Sequence, residues 1–261
     1  MRKSTRSLII LIFAVACATA VLADRPVNET VPAEPGGTVS IELIAGSVDF
    51  IGWDRDEVQI TGTLEDDVKG LEVDSDGKSV SIEVKVRSGR NINRASADLK
   101  VHLPFGSRVE AEAVSADLTV ESVDGDVSIE CVNGTVRIEG DLDDVNVSVV
   151  SGNINVESNT AMKGGSFETV SGNIDFRGDL DPGGRFQFES LSGNVRLYLP
   201  SSTSAEFTVE TFSGDIDNEL GPAAVRSGEY VPSKSLEFTL GSGAARVSVE
   251  SFSGNVKLLQ N

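Results

Sequence analysis

From Val109 to Leu258 the apolar and polar positions repeat with a period near 20 residues, and each copy turns on the same short corner. Around a glycine or its stand-in the corners read Ser115-Ala116-Asp117, Asn133-Gly134-Thr135, Ser151-Gly152-Asn153, Ser171-Gly172-Asn173, Ser192-Gly193-Asn194, Ser213-Gly214-Asp215 and Ser253-Gly254-Asn255. The steps between central residues are 18, 18, 20, 21, 21 and 40. Because 40 is twice 20, the last interval reads as two steps, with one corner having lost its signature near Pro232-Ser233-Lys234. Self-similarity at this period marks stacked repeats, each of which buries its apolar face on its neighbours.

Aligned on the corner, the copies form columns. Just before it stand Val114, Val132, Val150, Val170, Leu191, Phe212 and Phe252. Three residues after its first position come Leu118, Val136, Ile154, Ile174, Val195, Ile216 and Val256, and two further on Val120, Ile138, Val156, Phe176, Leu197, Asn218 and Leu258. Only Asn218 is polar. Four residues before the corner lie Ala111, Ile129, Val147, Phe167, Phe188, Val209 and Val249, alternating with Glu130, Ser148, Glu168, Glu189 and Glu250. Period-2 alternation in β-branched and aromatic residues is strand chemistry with one face buried. By the same parity Ile174 points inward and Asp175 outward.

If each turn returns the chain over itself, equivalent strands stack about 4.8 Å apart, and seven turns make a rod on the order of 35 Å long. The column Gly134, Gly152, Gly172, Gly193, Gly214 and Gly254 reads as a structural corner at positive φ, with flanking Ser and Asn bonding their own backbone. A second set of breakers falls midway, including Gly125, Gly164-Gly165, Pro182-Gly183-Gly184 and Gly241-Ser242-Gly243. Two corners per turn imply a flattened coil. The expected fold is all-β: a parallel β-solenoid, or β-helix, of about 20 residues per turn, right-handed because parallel crossovers have that hand.

Ahead of the repeats, residues 1–23 read as a signal peptide: Arg2, Lys3 and Arg6, an apolar run from Leu8 to Leu22, then small residues before Asp24. A membrane anchor is the alternative, although the run is shorter than the ~20 residues of a spanning helix. Cleavage before Cys17 would instead leave a lipoprotein. Residues 24–37, with Pro26, Pro32, Pro35 and Gly36-Gly37, read as a linker. Residues 38–108 read as an irregular N-terminal β cap, continuous with the repeats of 109–261, in which Ile44-Ala45-Gly46-Ser47-Val48 echoes the later corner. Its expected task is to cover an open strand edge.

The net charge of the full chain is −19; without Arg2, Lys3 and Arg6, 19 basic residues stand against 41 acidic ones, giving −22. Such a surface disfavours nucleic acid and anionic headgroups, and suits cations or basic partners.

The order of Gly46-Ser47-Val48, Gly52-Trp53-Asp54, Leu99-Lys100-Val101-His102-Leu103-Pro104 and the repeated Ser-Gly-Asn or Ser-Gly-Asp before Ile or Val resembles the bacterial domain-of-unknown-function family labelled putative adhesin, with β-strand repeats. The likeness covers roughly 38 to 259. It implies an exported, non-catalytic β-solenoid of the cell envelope, in the periplasm or at the surface, and names no ligand. The chain ends at Leu258-Leu259-Gln260-Asn261 with neither a membrane barrel nor a cell-wall sorting tail, unlike autotransporter adhesins.

The candidate chemistry is sparse. His102, the single histidine, lies in a strand pattern beside no evident nucleophile or metal ligand. After loss of residues 1–23, Cys131 is the one thiol, in a column of small or β-branched residues (Ala113, Val149, Thr169, Ser190, Thr211, Ser251), so no intrachain disulfide is expected. Asp74-Ser75-Asp76-Gly77 and Asp141-Leu142-Asp143-Asp144 offer oxygens in turns, as calcium requires, but lack a downstream bidentate Glu. No cofactor or metal site is expected. Asp117, Asn153, Asn173, Asn194, Asp215 and Asn255 form a polar row that could bind a repetitive glycan or peptide, or simply hold the corner. Arg137, Arg177, Arg185 and Arg196 could share a side. Because β-helices host polysaccharide lyases and hydrolases, a glycan-active enzyme is an alternative, though no carboxylate pair or Ser-His-Asp order stands out. A further alternative is self-association, end to end past Leu258. The expected partners are an envelope protein or glycan, with no nucleic acid and no span in the mature chain.

Overall fold

The computed structural model describes residues 24–87, 95–226 and 232–261. The expected signal segment 1–23, with Cys17, lies outside the described residues. The secondary structure among them is strand throughout. The first part of the chain carries β1 (Arg25–Pro32), β2 (Thr38–Trp53), β3 (Glu57–Leu64), β4 (Val68–Ser75), β5 (Ser79–Val86) and β6 (Ser96–Pro104). The repeats begin with β7 (Arg108–Val123), β8 (Val127–Asn133), β9 (Val136–Gly140), β10 (Asp144–Ser151), β11 (Ile154–Ser171), β12 (Ile174–Ser192) and β13 (Val195–Leu199). They end with β14 (Ala205–Ser213), β15 (Ile216–Asn218), β16 (Val225–Arg226), β17 (Lys234–Thr239), β18 (Ala245–Ser253) and β19 (Val256–Gln260).

These strands form two walls that meet at the Ser-Gly corner. The wall before the corner runs β5, β2, β7, β8, β10, β11, β12, β18, β14, every pair parallel and in register. The wall after it runs β6, β2, β7, β9, β11, β12, β13, β19, β15, again parallel. Parity sends Phe167 and Phe188 inward from the first wall and Phe176 inward from the second. Phe188 packs on Phe167 at 4.9 Å and on Phe176 at 5.4 Å between ring centroids, closing the core across the walls. Each such fully buried side chain contributes about 1.5 to 3 kcal/mol.

The glycine column has a cause beyond φ. A Cβ on Gly193 would overlap the carbonyl oxygen of Gly172, and the same clash with a neighbouring rung's carbonyl recurs at Gly134, Gly152, Gly172, Gly214 and Gly254. Positive φ holds at Gly134, Gly172 and Gly193. Gly152, Gly214 and Gly254 need the glycine for space alone. At Ala116 the strand instead passes through the corner unbroken, with its methyl buried in the core.

Three expectations need correction. Residues 24–37 are not merely a linker: β1 pairs antiparallel with β3 over eight residues, and Pro26 and Pro32 are tolerated because this is an edge strand, where a missing N–H breaks no ladder. The 40-residue interval is not two rungs. Instead β17 runs antiparallel on β14, and β16 on β17, so the stretch near Pro232-Ser233-Lys234 is a hairpin excursion over the end of the stack. The last copy then returns inside: β18 lies between β12 and β14, and β19 between β13 and β15. Leu258 is therefore not at an open end, which removes the premise for stacking past it. Asn218, the lone polar member of its column, is on the terminal rung, where its side chain caps a turn through Leu220 N and Pro222 O.

The echo at Gly46 is a full rung, with β2 lying between β6 and β7. The stack thus carries an out-of-order rung at each end, and antiparallel strands β4, β3 and β1 cover the first end.

Candidate functional site

The polar row at the corner is occupied by its own hydrogen bonds. Asn153 Oδ1 accepts from Asn173 N (2.9 Å) and Nδ2 (3.2 Å), and Asn173 Oδ1 accepts from Asn194 N (3.0 Å) and Nδ2 (3.1 Å). Asn194 Oδ1 then accepts from Asn255 N at 3.0 Å, and Asn255 Oδ1 from Asp215 N at 2.9 Å. Asp117 Oδ1 accepts from Thr135 N at 2.8 Å. The row follows the spatial order of the rungs, and Asp215 ends it in an ion pair with Lys234, whose ammonium holds that carboxyl below its usual range.

One apolar column is not in the core. In rung order Ile44, Val114, Val132, Val150, Val170, Leu191, Phe252 and Phe212 are all exposed, between 41% and 54%. Parity requires this: the preceding residues, such as Cys131, Thr169 and Ser190, point inward, so these point out. Phe212 and Phe252 stack face to face at 4.9 Å. Two residues earlier on the same strands, about 6.7 Å away, is a second outward row. It reads Glu42, Glu112, Glu130, Ser148, Glu168, Glu189, Glu250 and Glu210, held side by side by the parallel register. A shallow groove of about 800 Å³ lies between the rows from Ser148 to Phe252, and another of about 570 Å³ continues it toward Glu42.

The glutamates of this row have no ion-pair partner among the described residues. Among the described residues, the cations lining these grooves are Lys234, engaged by Asp215, and Lys85, engaged by Glu72 and Glu83. Glu168 and Glu189 take neutral donors, Ser166 and Gln187. The other wall is different. There Arg196 pairs with Asp175 on the next rung at 3.0 and 3.1 Å, and Arg177 lies over the Tyr198 ring at 4.6 Å. Arg137, Arg177 and Arg196 do share that wall, but Arg185 belongs to the first, beside Arg246. Asp175 is consequently half-buried and partnered, not the free outward position expected from parity.

The remaining candidates are accounted for locally. Cys131 Sγ lies 3.2 Å from the carbonyl oxygen of Asn133, and burial pushes its thiol up. His102 stacks on Trp53 at 4.9 Å; burial, then Lys100 and Arg55, lower its imidazole pKa. In the first acidic turn, Asp76 Oδ1 accepts from Lys78 N and Ser79 N. In the second, Asp143 pairs with Lys163 and Leu142 is buried. No three His, Cys, Asp or Glu residues gather to hold a metal ion among the described residues.

The ridge of exposed apolar residues is what reasoning from sequence missed. Its signal was present, because seven apolar residues stood at the wrong parity for the core.

The model of the family described as Toastrack DUF4097 matches residues 37–179. No curated protein matches the chain. Among solved structures, a putative adhesin from Bacteroides fragilis is 10% identical, with 91% of this chain and 99% of that one covered at a TM-score of 0.47. A putative cell adhesion protein from Clostridium sporogenes is 14% identical, covering 91% and 100% at 0.38. A putative adhesin from Parabacteroides distasonis is 11% identical, covering 91% and 98% at 0.40.

Proposed function

This chain belongs to the Toastrack DUF4097 family, and we propose that it is an exported, non-catalytic, adhesin-like binding module of the bacterial cell envelope. Its two-walled ladder is a parallel β-solenoid, right-handed by the rule for parallel crossovers, and acts as a rigid support for the ridge. The observation that carries this reading is the apolar column exposed over eight rungs beside a row of seven glutamates that have no ion-pair partner among the described residues. A contiguous exposed apolar strip on a soluble body marks an interaction surface. Placing like charges directly opposite one another on adjacent strands costs stability, and a cost maintained along this row but relieved by pairing elsewhere, as at Arg196 with Asp175 and Arg246 with Glu206, fits a surface kept for a partner.

The basic and apolar segment 1–23 supports export. Periplasmic and surface locations both suit an acidic body, and Cys17 acylation would tether it. The polar corner row acts structurally in this reading, since its oxygens are already occupied.

The test is retention on an envelope fraction from the source cell. The triple variant Val150→Ser, Val170→Ser, Leu191→Ser alters only exposed side chains, so its melting point should stay within a few degrees of the parent. Its retention should fall about tenfold, equivalent to about 1.4 kcal/mol. Unchanged retention would remove the ridge from the function.

A further inference from the structure

We propose that the occupant of the ridge is a basic amphipathic helix of a partner protein. This rests on the ridge being a binding surface and adds what binds there. Leucine-like side chains of the helix would lie on the column of Val114, Val150 and Leu191, while its Lys or Arg flank would lie over Glu112, Glu168 and Glu189.

The argument is geometric and electrostatic. The two rows are parallel, about 6.7 Å apart, and run along the stack axis with a repeat near 4.8 Å. A helix laid along that axis presents one turn every 5.4 Å, close to one anchor per rung, and its apolar and charged flanks form two parallel stripes of the same kind. The ridge spans seven rung intervals, about 34 Å, which a helix of about 22 residues would cover. An amphipathic helix seated on an apolar groove is an established mode of peptide recognition.

Charge decides between occupants. A second copy would bring its own glutamate row and a net charge of −19 against this one, and an anionic bilayer would be repelled likewise. Cationic residues on the partner would instead supply the neutralisation that the glutamate row lacks among the described residues. On the opposite wall the equivalent places are filled from within, by Arg196 on Asp175.

The probe is a synthetic 22-residue peptide of leucine and lysine, with leucines at helical spacing, set against the same peptide with glutamate in place of lysine. Binding to the folded chain is followed by calorimetry at low and at physiological salt. The lysine peptide should bind, more weakly as salt rises. It should lose about tenfold affinity with Leu191→Ser plus Phe252→Ser, and about tenfold again with Glu168→Gln, Glu189→Gln and Glu250→Gln. These side chains are solvent-facing, and a thermal melt confirms that each variant is folded. Absence of binding, equal binding of the glutamate peptide, or indifference to both sets of substitutions overturns the proposal. So does a dimer in sedimentation that the ridge substitutions dissolve, since the occupant is then a second copy, or binding of phosphatidylcholine vesicles through the same residues. If envelope retention depends on the ridge while the lysine peptide fails to bind, the helix is wrong and the binding surface stands.

Discussion

Gly193→Ala is expected to destabilise the chain by about 4 kcal/mol or more, lowering the thermal midpoint by on the order of 10 °C. The added methyl has no space: it would lie 1.7 Å from the carbonyl oxygen of Gly172, and Ser190 Oγ lies 3.2 Å from the same point. Rigid backbone, not a flexible side-chain end, must give way, and the positive φ of 156° adds strain. Relief means spreading these two rungs, which breaks hydrogen bonds between them such as Gly172 N to Ser192 O and Ile174 N to Asn194 O. Gly70→Ala is the control, because nothing stands within 4 Å of its added methyl; it should melt within about 2 °C of the parent. Equal effects at both sites would show that the rungs are not in close backbone contact.

Ile174→Asp should be more damaging still. Ile174 is fully buried, paired between Ile154 and Val195, with Phe176 two positions on. An unpaired carboxylate there forfeits the apolar contacts and a charge's hydration together, a loss above 4 kcal/mol, so folded protein should be scarce at 37 °C. Ile174→Val at the same site should cost only about 1 kcal/mol. Asp175→Lys, one residue along and facing out, should cost about 1 kcal/mol because it puts a cation beside Arg196 in place of that residue's partner. A soluble Ile174→Asp variant melting with Ile174→Val would mean that the inward column is misassigned.

Much of this fold was legible because strand parity and corner chemistry are local. Ile154, Ile174 and Val195 announce an inward column by alternation alone, and Gly134 to Gly254 announce the corner. Rung order was not legible. β18 repeats the residue types of β12 and β14 closely enough to sit beside either, so nothing local says that Val256 pairs with Val195 and Ile216 at once. Nor could the spacing distinguish a faded rung from the β16–β17 hairpin, since both consume about the same length. Pro26 and Pro32 read as linker because an edge strand and a linker tolerate proline for the same reason. The ridge was hidden differently. Val150 and Leu191 look like core residues by type, and only counting from the small inward residues Val149 and Ser190 shows that they must face solvent. For the same reason the partnered state of Asp175 depends on a residue 21 positions later, which parity cannot supply.

The most direct test of the stacked, reordered ladder is disulfide formation between ridge positions in a Cys131→Ser background. Leu191 and Phe252 lie on neighbouring rungs, whose backbones are about 4.8 Å apart, within disulfide reach; Leu191 and Phe212 are two rungs apart, about 9.6 Å, and beyond it. Mild oxidation of the pair Leu191→Cys and Phe252→Cys should close a crosslink within one chain, while Leu191→Cys with Phe212→Cys should remain reduced. The reverse result, with 191 joined to 212 and not to 252, would place the rungs in simple chain order and contradict the account.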